Sequence, residues 1–370
     1  MLIIVLFLDG HYLDNAGTTL YSLQQIKDIF ENLTQNQYCN PHTSKNTEDL
    51  VDQVRYKILQ SFNTNPDEYS VVFTFGATAS LKLVAECFLF HAKSDDGERG
   101  QFRYLQDSHT SVLGMREIVS TTDINVITRA QLLGLPKIEV TNMPPGCCKT
   151  NSLIVFPAQC NFNGYKYPLN LIDSIHNNSL NKHTNWYVCL DAASFVSTNY
   201  LDLQQYKPDF VCLSFYKIFG YPTGVGALLV RKSAEQVLQK KYYGGGTVKI
   251  ALSTLNWHRK RDRVFEKFED GTISFLSIIA LLQGYKTLER LVPASDNKCL
   301  SMMRISRHCF NLAKYFYDST KDLAHSNKQI LFRFYHDTTF DCCTNQGGII
   351  NFNVLKCDGT FVGFAEVNVK

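Results

Sequence analysis

Short apolar runs alternate along the chain with segments whose apolar positions recur at helical spacing. The run SVVFTF at 70–75, for example, is followed by the amphipathic segment TASLKLVAECFLF at 78–90. Further apolar runs continue the series at 103–106, 125–128, 153–156, 186–192, 210–215 and 226–230. Strands that alternate with helices are typical of a mostly parallel sheet with helices on both faces. The pattern therefore predicts an α/β fold, with one more helix around Val112–Ser120.

The pattern changes at about Ile273. Two long helical stretches, at 275–291 and 301–317, are followed by apolar runs at 329–335 and 348–355. This order is typical of a smaller α+β unit. We therefore expect a large domain over 1–272 and a small domain over 273–370, with a segment of about 1–20 that packs with the small domain.

The first ten residues, MLIIVLFLDG, are mostly apolar. A membrane-spanning helix needs about 20 apolar residues. A signal peptide would also show a basic leading region and a cleavage site with small residues. We therefore interpret this segment as a buried first strand and expect no contact with a membrane.

Composition excludes little. Of the 370 residues, 45% are hydrophobic and 19% charged, which suits a globular protein with a sizeable core. The net charge of +3 on a chain of this length does not indicate the concentrated basic face that a nucleic-acid-binding protein needs. The twelve cysteines include no Cys-x-x-Cys pair, and the adjacent pairs Cys147–Cys148 and Cys342–Cys343 suit neither a metal site nor an ordinary disulfide. These features indicate reduced thiols in a cytoplasmic protein.

Polar residues follow five of the predicted strands directly. In open α/β sheets, ligands bind at the carboxyl ends of the strands. The strand-end segments are Thr74–Thr78, Asp107–His109, Gln159–Asn161, Asp191–Ser194 and Ser214–Lys217. They define the expected site.

Three of these segments carry specific chemistry. The turn at Gly76–Thr78 exposes backbone N–H groups at a helix start, which suits a phosphate, although Thr78 could be an ordinary N-cap. Asp191 ends a buried strand and needs a cation or a hydrogen-bond donor, which a structural ion pair would also supply. His109 is equally compatible with a structural role.

Lys217 lies in an apolar setting, between the predicted strand at 210–215 and a turn that is rich in glycine and proline. An unpaired ammonium is costly to bury, and a desolvated lysine is a common amine nucleophile. A phosphate turn, a buried aspartate and such a lysine together match pyridoxal 5′-phosphate, which is held as a lysine Schiff base with an aspartate on its pyridinium nitrogen. The constellation predicts this cofactor, with His109 stacked on its ring.

Several segments along nearly the whole chain are typical of one family, among them YLDNAGTTLYS, FTFGATASLKLVAE, DSHTSVLGMRE, SFYKIFGYPTGVGALLV and FEDGTISFL. On these segments the chain resembles the class V aminotransferase fold (pyridoxal-phosphate-dependent transferase type I). Within this fold the resemblance is to the cysteine desulfurases, and in particular to the N-terminal domain of the eukaryotic molybdenum cofactor sulfurases. General desulfurases have a histidine directly before the lysine, where this chain has Tyr216.

The resemblance implies a role for each matching residue. The implied catalytic residues are Lys217, which holds the cofactor aldehyde, Asp191, which keeps the ring nitrogen protonated, and His109, which stacks on the ring. The implied cofactor contacts also include Ala77, Thr78, Ser214 and Tyr216 at the phosphate, Asn161 and Ser194 near the ring hydroxyl, Ala193 beneath the ring, and Thr272 at the phosphate of a neighbouring subunit. The resemblance therefore also implies a homodimer in which each site includes residues of both subunits.

The implied reaction removes sulfur from L-cysteine as a protein persulfide and leaves L-alanine. In the molybdenum cofactor sulfurases the sulfur goes to the molybdenum cofactor and activates xanthine dehydrogenase and aldehyde oxidase. The chain departs from the family pattern at Asn15, where the family has histidine. It also stops at Lys370, before the segment that carries the persulfide cysteine, so we expect a small domain that is incomplete at its C-terminus and a molybdenum-cofactor domain beyond this chain.

The late cysteines Cys342, Cys343 and Cys357 lie in the wrong context for the persulfide carrier, and the arginine for the substrate carboxylate cannot be assigned.

Two other functions stay open. One is another class V enzyme, such as an aminotransferase or a selenocysteine lyase. The other is a non-catalytic paralogue that serves as a dimerisation or partner-binding module.

Overall fold

The computed structural model describes residues 12–91, 99–135, 150–177, 180, 184–293 and 298–367. The expected first strand at 1–10 and the pair Cys147–Cys148 lie outside the described residues.

The described chain alternates between strands and helices. The strands are β1 (Tyr69–Thr74), β2 (Phe102–Leu105), β3 (Ile124–Ile127), β4 (Asn151–Pro157), β5 (Asn185–Asp191), β6 (Phe210–Ser214), β7 (Gly226–Arg231), β8 (Val248–Ala251), β9 (His258–Lys260), β10 (Phe332–Phe334) and β11 (Phe352–Val354). The helices are α1 (Leu23–Gln35), α2 (Lys45–Ser61), α3 (Ala77–Cys87), α4 (Thr110–Leu113), α5 (Arg129–Leu133), α6 (Leu171–His176), α7 (Tyr216–Phe219), α8 (Val264–Phe268), α9 (Phe275–Leu291), α10 (Lys298–Thr320) and α11 (Phe364–Val367).

Seven strands form one sheet in the order β1-β7-β6-β5-β4-β2-β3. The pairs β2–β3, β2–β4, β4–β5 and β5–β6 are parallel, and β7 runs antiparallel to both of its neighbours. The mostly parallel sheet predicted from the sequence is therefore confirmed. Each predicted strand of this sheet lies within two residues of the observed one.

The central strands are buried on both faces, as their unbroken apolar runs predict. Alternate side chains enter two different cores because successive residues of a strand point to opposite faces. Ile154 packs in the cluster that contains α2 and α9, whereas Val155 packs in the cluster that contains α3. Helices therefore cover both faces and hold the carboxyl ends of the strands at one edge.

Beyond α9 the chain forms an α+β unit around α10. The strands β10 and β11 pair antiparallel, and Phe316 of α10 packs against Phe332 and Phe352 at 6.1 and 5.3 Å between ring centroids. Ile278 of α9, in contrast, lies in the core of the large sheet. The division of the chain at residue 272 stays a prediction.

The helix expected around Val112–Ser120 is wrong in its bounds. The α-helix α4 ends at Leu113, and Gly114–Glu117 continue as a 3-10 helix. The β-branched residues Ile118 and Val119 that follow disfavour a longer helix. Within the described chain, no helix combines the length and the apolar character needed to cross a membrane.

Candidate functional site

A tight junction between β1, β6 and β7 forms one end of the site. Gly76, which precedes α3, has φ of 118°, in the region that favours glycine. A Cβ on Gly226 would lie 2.4 Å from the Cα of Gly76 and 2.3 Å from the carbonyl oxygen of Leu213. Glycine at both positions therefore lets the start of α3 lie directly against the end of β6.

The first turn of α3 presents backbone N–H groups at this junction. The N–H of Ala77 donates to the Ser214 hydroxyl at 2.8 Å, and no side chain caps the helix at Gly76. Thr78 is exposed, and its hydroxyl lies 2.8 Å from that of Ser111. Thr78 is thus not the N-cap, and the helix start is open to an anionic ligand.

Asp191 ends β5 and is only 8% exposed. Its Oδ1 accepts a hydrogen bond of 3.1 Å from the N–H of Ala193. Burial raises the pKa of Asp191, while the Ala193 N–H and the nearby Lys217 and His109 side chains act in the opposite direction. Lys217 and His109, the other two proposed catalytic residues, therefore lie close enough to Asp191 to influence its charge.

Lys217 lies in α7, the short helix that follows β6, and is half-buried. Its carbonyl oxygen accepts a hydrogen bond of 2.7 Å from the Thr19 hydroxyl. Gly220, with φ of 75°, ends the helix where a Cβ would lie 2.5 Å from the Thr19 carbonyl oxygen. The segment around Thr19 thus fixes the backbone that carries the lysine.

His109 is exposed and is the N-cap residue of α4. Its Nδ1 accepts from the N–H of Ser111 at 3.1 Å and lies 3.0 Å from the Ser111 hydroxyl. Because the Ser111 hydroxyl also contacts Thr78, His109 is coupled to the start of α3. The short helix α4 therefore places the ring beside the phosphate turn that the sequence predicted.

An open cavity of about 710 Å³ includes the His109 loop. Its lining residues are Gln106, Asp107, Ser108, His109, Thr110, Arg129, Cys160, Asn161, Phe162, Asn163, Tyr335, His336 and Asp337. The last three come from the α+β unit, so both units enclose the space. The hydroxyl oxygen of Ser108 is buried there without a hydrogen-bond partner among the described residues.

The other residues predicted to contact the cofactor differ in their exposure and in their position relative to the cavity. Asn161 is exposed and lines the cavity, and Ala193 and Ser194 are each 8% exposed beside Asp191. The Ser194 hydroxyl accepts a hydrogen bond of 3.1 Å from the side-chain amide of Gln159. Tyr216 is half-buried at the start of α7. Thr272 is exposed before α9, and its role across a dimer interface stays a prediction.

An ionic network in the cavity wall was not predicted from the sequence. Arg129, the first residue of α5 and two residues after β3, forms ion pairs with Asp107 and with Asp337. The Tyr167 hydroxyl donates to Asp107 at 2.6 Å. The position of Arg129 near a strand end could have indicated a site residue. Asp337 lies 208 residues further along the chain, and no sequence pattern marks it as part of the site.

The cysteines of the described chain are free thiols. Cys160 lines the cavity, but burial raises the pKa of its thiol. Cys342 is exposed, and a hydrogen bond from Thr344 lowers the pKa of its thiol. It does not line the cavity. Within the described ranges, the acidic, histidine and cysteine side chains form no group of three or more that could hold a metal ion.

Comparison with known proteins relates the chain to one family. The family model of the class-V aminotransferases matches residues 11–316. "Molybdenum cofactor sulfurase 3" of Aedes aegypti is 57% identical over 359 residues, which are 96% of this chain and 46% of that protein. "Molybdenum cofactor sulfurase" of Anopheles gambiae is 54% identical over 367 residues, 97% of this chain and 46% of that protein. The chain thus spans about half the length of the curated relatives it matches, and the resemblance expected from the sequence is confirmed.

Solved structures share the fold at low sequence identity. A mutant of C-DES with glycine covalently linked to its PLP cofactor has a TM-score of 0.69 and 16% identity, over 94% of this chain and 83% of that chain. The apo structure of the cysteine desulfurase from Thermococcus onnurineus has a TM-score of 0.68 and 17% identity, over 93% and 78%. The class V aminotransferase fold predicted from the sequence is therefore confirmed.

Proposed function

Because the chain belongs to the aminotransferase class-V family, we propose that it binds pyridoxal 5′-phosphate and acts on L-cysteine as a desulfurase, as part of a molybdenum cofactor sulfurase. The observation that carries the proposal is the convergence of Lys217, His109 and Asp191 beside the open start of α3. Relatives that bear the sulfurase name, at 48–57% identity, support the choice within the family.

The residues present fit this cofactor. Asp191 is buried with a raised pKa, so a protonated ring nitrogen would relieve the cost of its charge. The N–H groups at the start of α3 and the Ser214 hydroxyl suit a phosphate. The buried Ser108 hydroxyl, which has no partner among the described residues, offers one more polar contact.

Each side chain has a distinct task in this proposal. Lys217 would hold the aldehyde carbon of the cofactor, and its amine, once released, would take the proton from Cα of L-cysteine. His109 would cover one face of the ring and Ala193 the other, while Asn161, Ser194 and Tyr216 would orient the cofactor. When bound, the cofactor supplies an electron sink for the electrons of the broken Cα–H bond. Asp191 maintains that sink because its charge keeps the ring nitrogen protonated.

The sulfur acceptor is a protein thiolate in this proposal. The thiol of Cys160 is buried, and Cys342, Cys343 and Cys357 do not line the cavity. We therefore assign the persulfide to none of these four cysteines. The molybdenum cofactor, and through it xanthine dehydrogenase and aldehyde oxidase, would receive the sulfur with help from regions that the longer relatives have. The free thiols of the described chain favour a cytoplasmic location.

A homodimer belongs to the same proposal. The β8–β9 hairpin exposes a cluster of large apolar side chains, which are Ile250, Leu252, Leu255 and Trp257. The N–H of Gly271, next to Thr272, donates to the carbonyl oxygen of Gly245 at 2.7 Å, so the Thr272 loop is attached to the residues that precede the hairpin. A second copy packed on the hairpin would cover this surface and receive Thr272 at its phosphate.

Reduction with borohydride tests the proposal. The protein loaded with pyridoxal phosphate should be yellow, and reduction should fix the cofactor to the peptide that contains Lys217. Lys217→Ala should lose the linkage, whereas Lys241→Ala, at an exposed lysine, should keep it. Fixation to a different peptide would contradict the assignment of the lysine.

A further inference from the structure

Arg129 lines the cavity, and each nitrogen of its guanidinium has a partner there. Its Nε donates to Oδ2 of Asp107 and to the Tyr167 hydroxyl, each at 3.1 Å, and its Nη2 also donates to Asp107. Its Nη1 forms the ion pair with Asp337, which additionally accepts from the Asn163 amide. Each guanidinium nitrogen therefore has a partner, and Nη1 is held by a carboxylate from the α+β unit.

The guanidinium stays charged in this setting. Burial acts to lower the pKa of Arg129, but hydrogen bonds to Asp337, Tyr167 and Asp107 outweigh it and raise the pKa above its usual value. The side chain also lies over the Tyr165 ring, with Cζ 4.6 Å from the centroid. The arginine is thus a fixed, permanent cation.

Two carboxylates outnumber this one cation. With the two histidines counted as neutral, the charged residues among those described in the cavity lining are Arg129, Asp107 and Asp337. The cavity wall therefore carries a net negative charge. An arginine with a free fork would bind a carboxylate of a ligand in bidentate fashion, but here Asp337 takes that place.

We propose that Asp337 makes the cavity select amino acids with uncharged side chains, such as cysteine, over acidic ones, such as aspartate or cysteine sulfinate. The inference rests on the proposed function and adds the substrate class to it. All amino acids carry the same α-carboxylate, so its interactions cancel when two substrates are compared. What remains is the second negative charge, which in this proposal would face Asp337 instead of a free guanidinium.

L-Asparagine and L-aspartate are a matched pair of probes because they share one shape and differ in charge. The cofactor-loaded protein is titrated with each, and the change in cofactor absorbance gives the two dissociation constants. We expect the wild type to bind asparagine more tightly. Asp337→Asn should reduce the ratio of the aspartate constant to the asparagine constant at least tenfold, since it removes the repulsion and frees Nη1.

Control variants separate charge from structure. Asp341→Asn removes the same charge from an exposed residue outside the cavity lining and should leave the ratio unchanged. Asp337→Glu should keep the discrimination, and Asp337→Ser serves as a second neutral variant. Because the Asp337 side chain is 38% exposed, high salt should also lower the wild-type ratio without any substitution.

The proposal is overturned if the wild type binds aspartate as tightly as asparagine, if it responds to neither, or if the ratio survives in the neutral variants or in high salt. Failure of the proposed function looks different. In that case reduction with borohydride would not link the cofactor to Lys217. A loaded protein without discrimination would contradict only the role of Asp337.

Discussion

The backbone N–H of Ala77 donates a 2.8 Å hydrogen bond to the Ser214 hydroxyl, across 137 residues of sequence. This bond joins the start of α3 to the end of β6, three residues before Lys217. A ligand anion at the helix start and a ligand aldehyde at the lysine would therefore be held by one rigid junction. In the proposed function, this relationship would tie phosphate binding to the position of the Lys217 amine.

Ser214→Ala should weaken the binding of pyridoxal phosphate at least tenfold. It removes a hydroxyl donor from the anion site and leaves the buried Ala77 N–H without its partner, at a cost of about 1–3 kcal/mol in stability. A fluorescence titration gives the dissociation constant. Ser70→Ala is the matched control because Ser70 is similarly buried, at 7% exposure against 4% for Ser214, but lies near the start of β1, at the opposite end of the sheet. Equal loss in both variants would contradict a role at the phosphate.

Gly226→Ala should destabilise the protein by about 1–3 kcal/mol, because the added methyl group would overlap backbone atoms of Leu213 and Gly76. Urea unfolding measures the free energy. Gly114→Ala, where a Cβ meets nothing within 4 Å, should be nearly neutral. If the two variants unfold at the same urea concentration, Gly226 does not pack against the backbone of Leu213 and Gly76 as closely as described.

Asp191→Asn should stabilise the cofactor-free protein at neutral pH. Burial raises the folded-state pKa of Asp191 above its usual 3.8, so the charged carboxylate costs stability once the pH exceeds the unfolded value. Asparagine has no such cost. The difference in melting temperature between variant and wild type should therefore be small at acidic pH and grow as the pH rises. A difference that does not vary with pH would contradict the burial of this charge.

Asp191→Asn should also strongly reduce the proposed reaction of the cofactor-loaded protein. A neutral amide cannot keep the ring nitrogen protonated, so exchange of the Cα proton of L-cysteine should fall about a hundredfold or more while the cofactor stays bound. Proton NMR in deuterated water follows the exchange. A loss of less than about tenfold would indicate that Asp191 is a structural residue.

Much of this site could be predicted from local sequence. The apolar runs fixed the strands because both faces of a parallel sheet are buried, and the polar residues after each run then had to meet at one edge. Lys217, Asp191 and His109 were identified in this way. Asp191 is the last residue of β5, and Lys217 and His109 lie within four residues of the ends of β6 and β2.

Long-range pairings could not be predicted. The ion pair between Arg129 and Asp337 joins elements that packing alone brings together, and no local pattern marks Asp337. The β8–β9 hairpin was also missed, since Lys249, Arg259 and their neighbours interrupt the apolar alternation of a half-buried strand. The β-branched residues at 118 and 119 shortened the helix expected from the pattern.

The most direct test of the account is exchange of the Cα proton of L-cysteine. The protein loaded with pyridoxal phosphate is incubated with L-cysteine in deuterated water, and deuterium at Cα is measured separately from alanine and from any keto acid. We expect exchange by the wild type and none by Lys217→Ala. Keto acid formation would favour an aminotransferase. A folded, cofactor-loaded wild type that shows no exchange would contradict the account and favour a non-catalytic module.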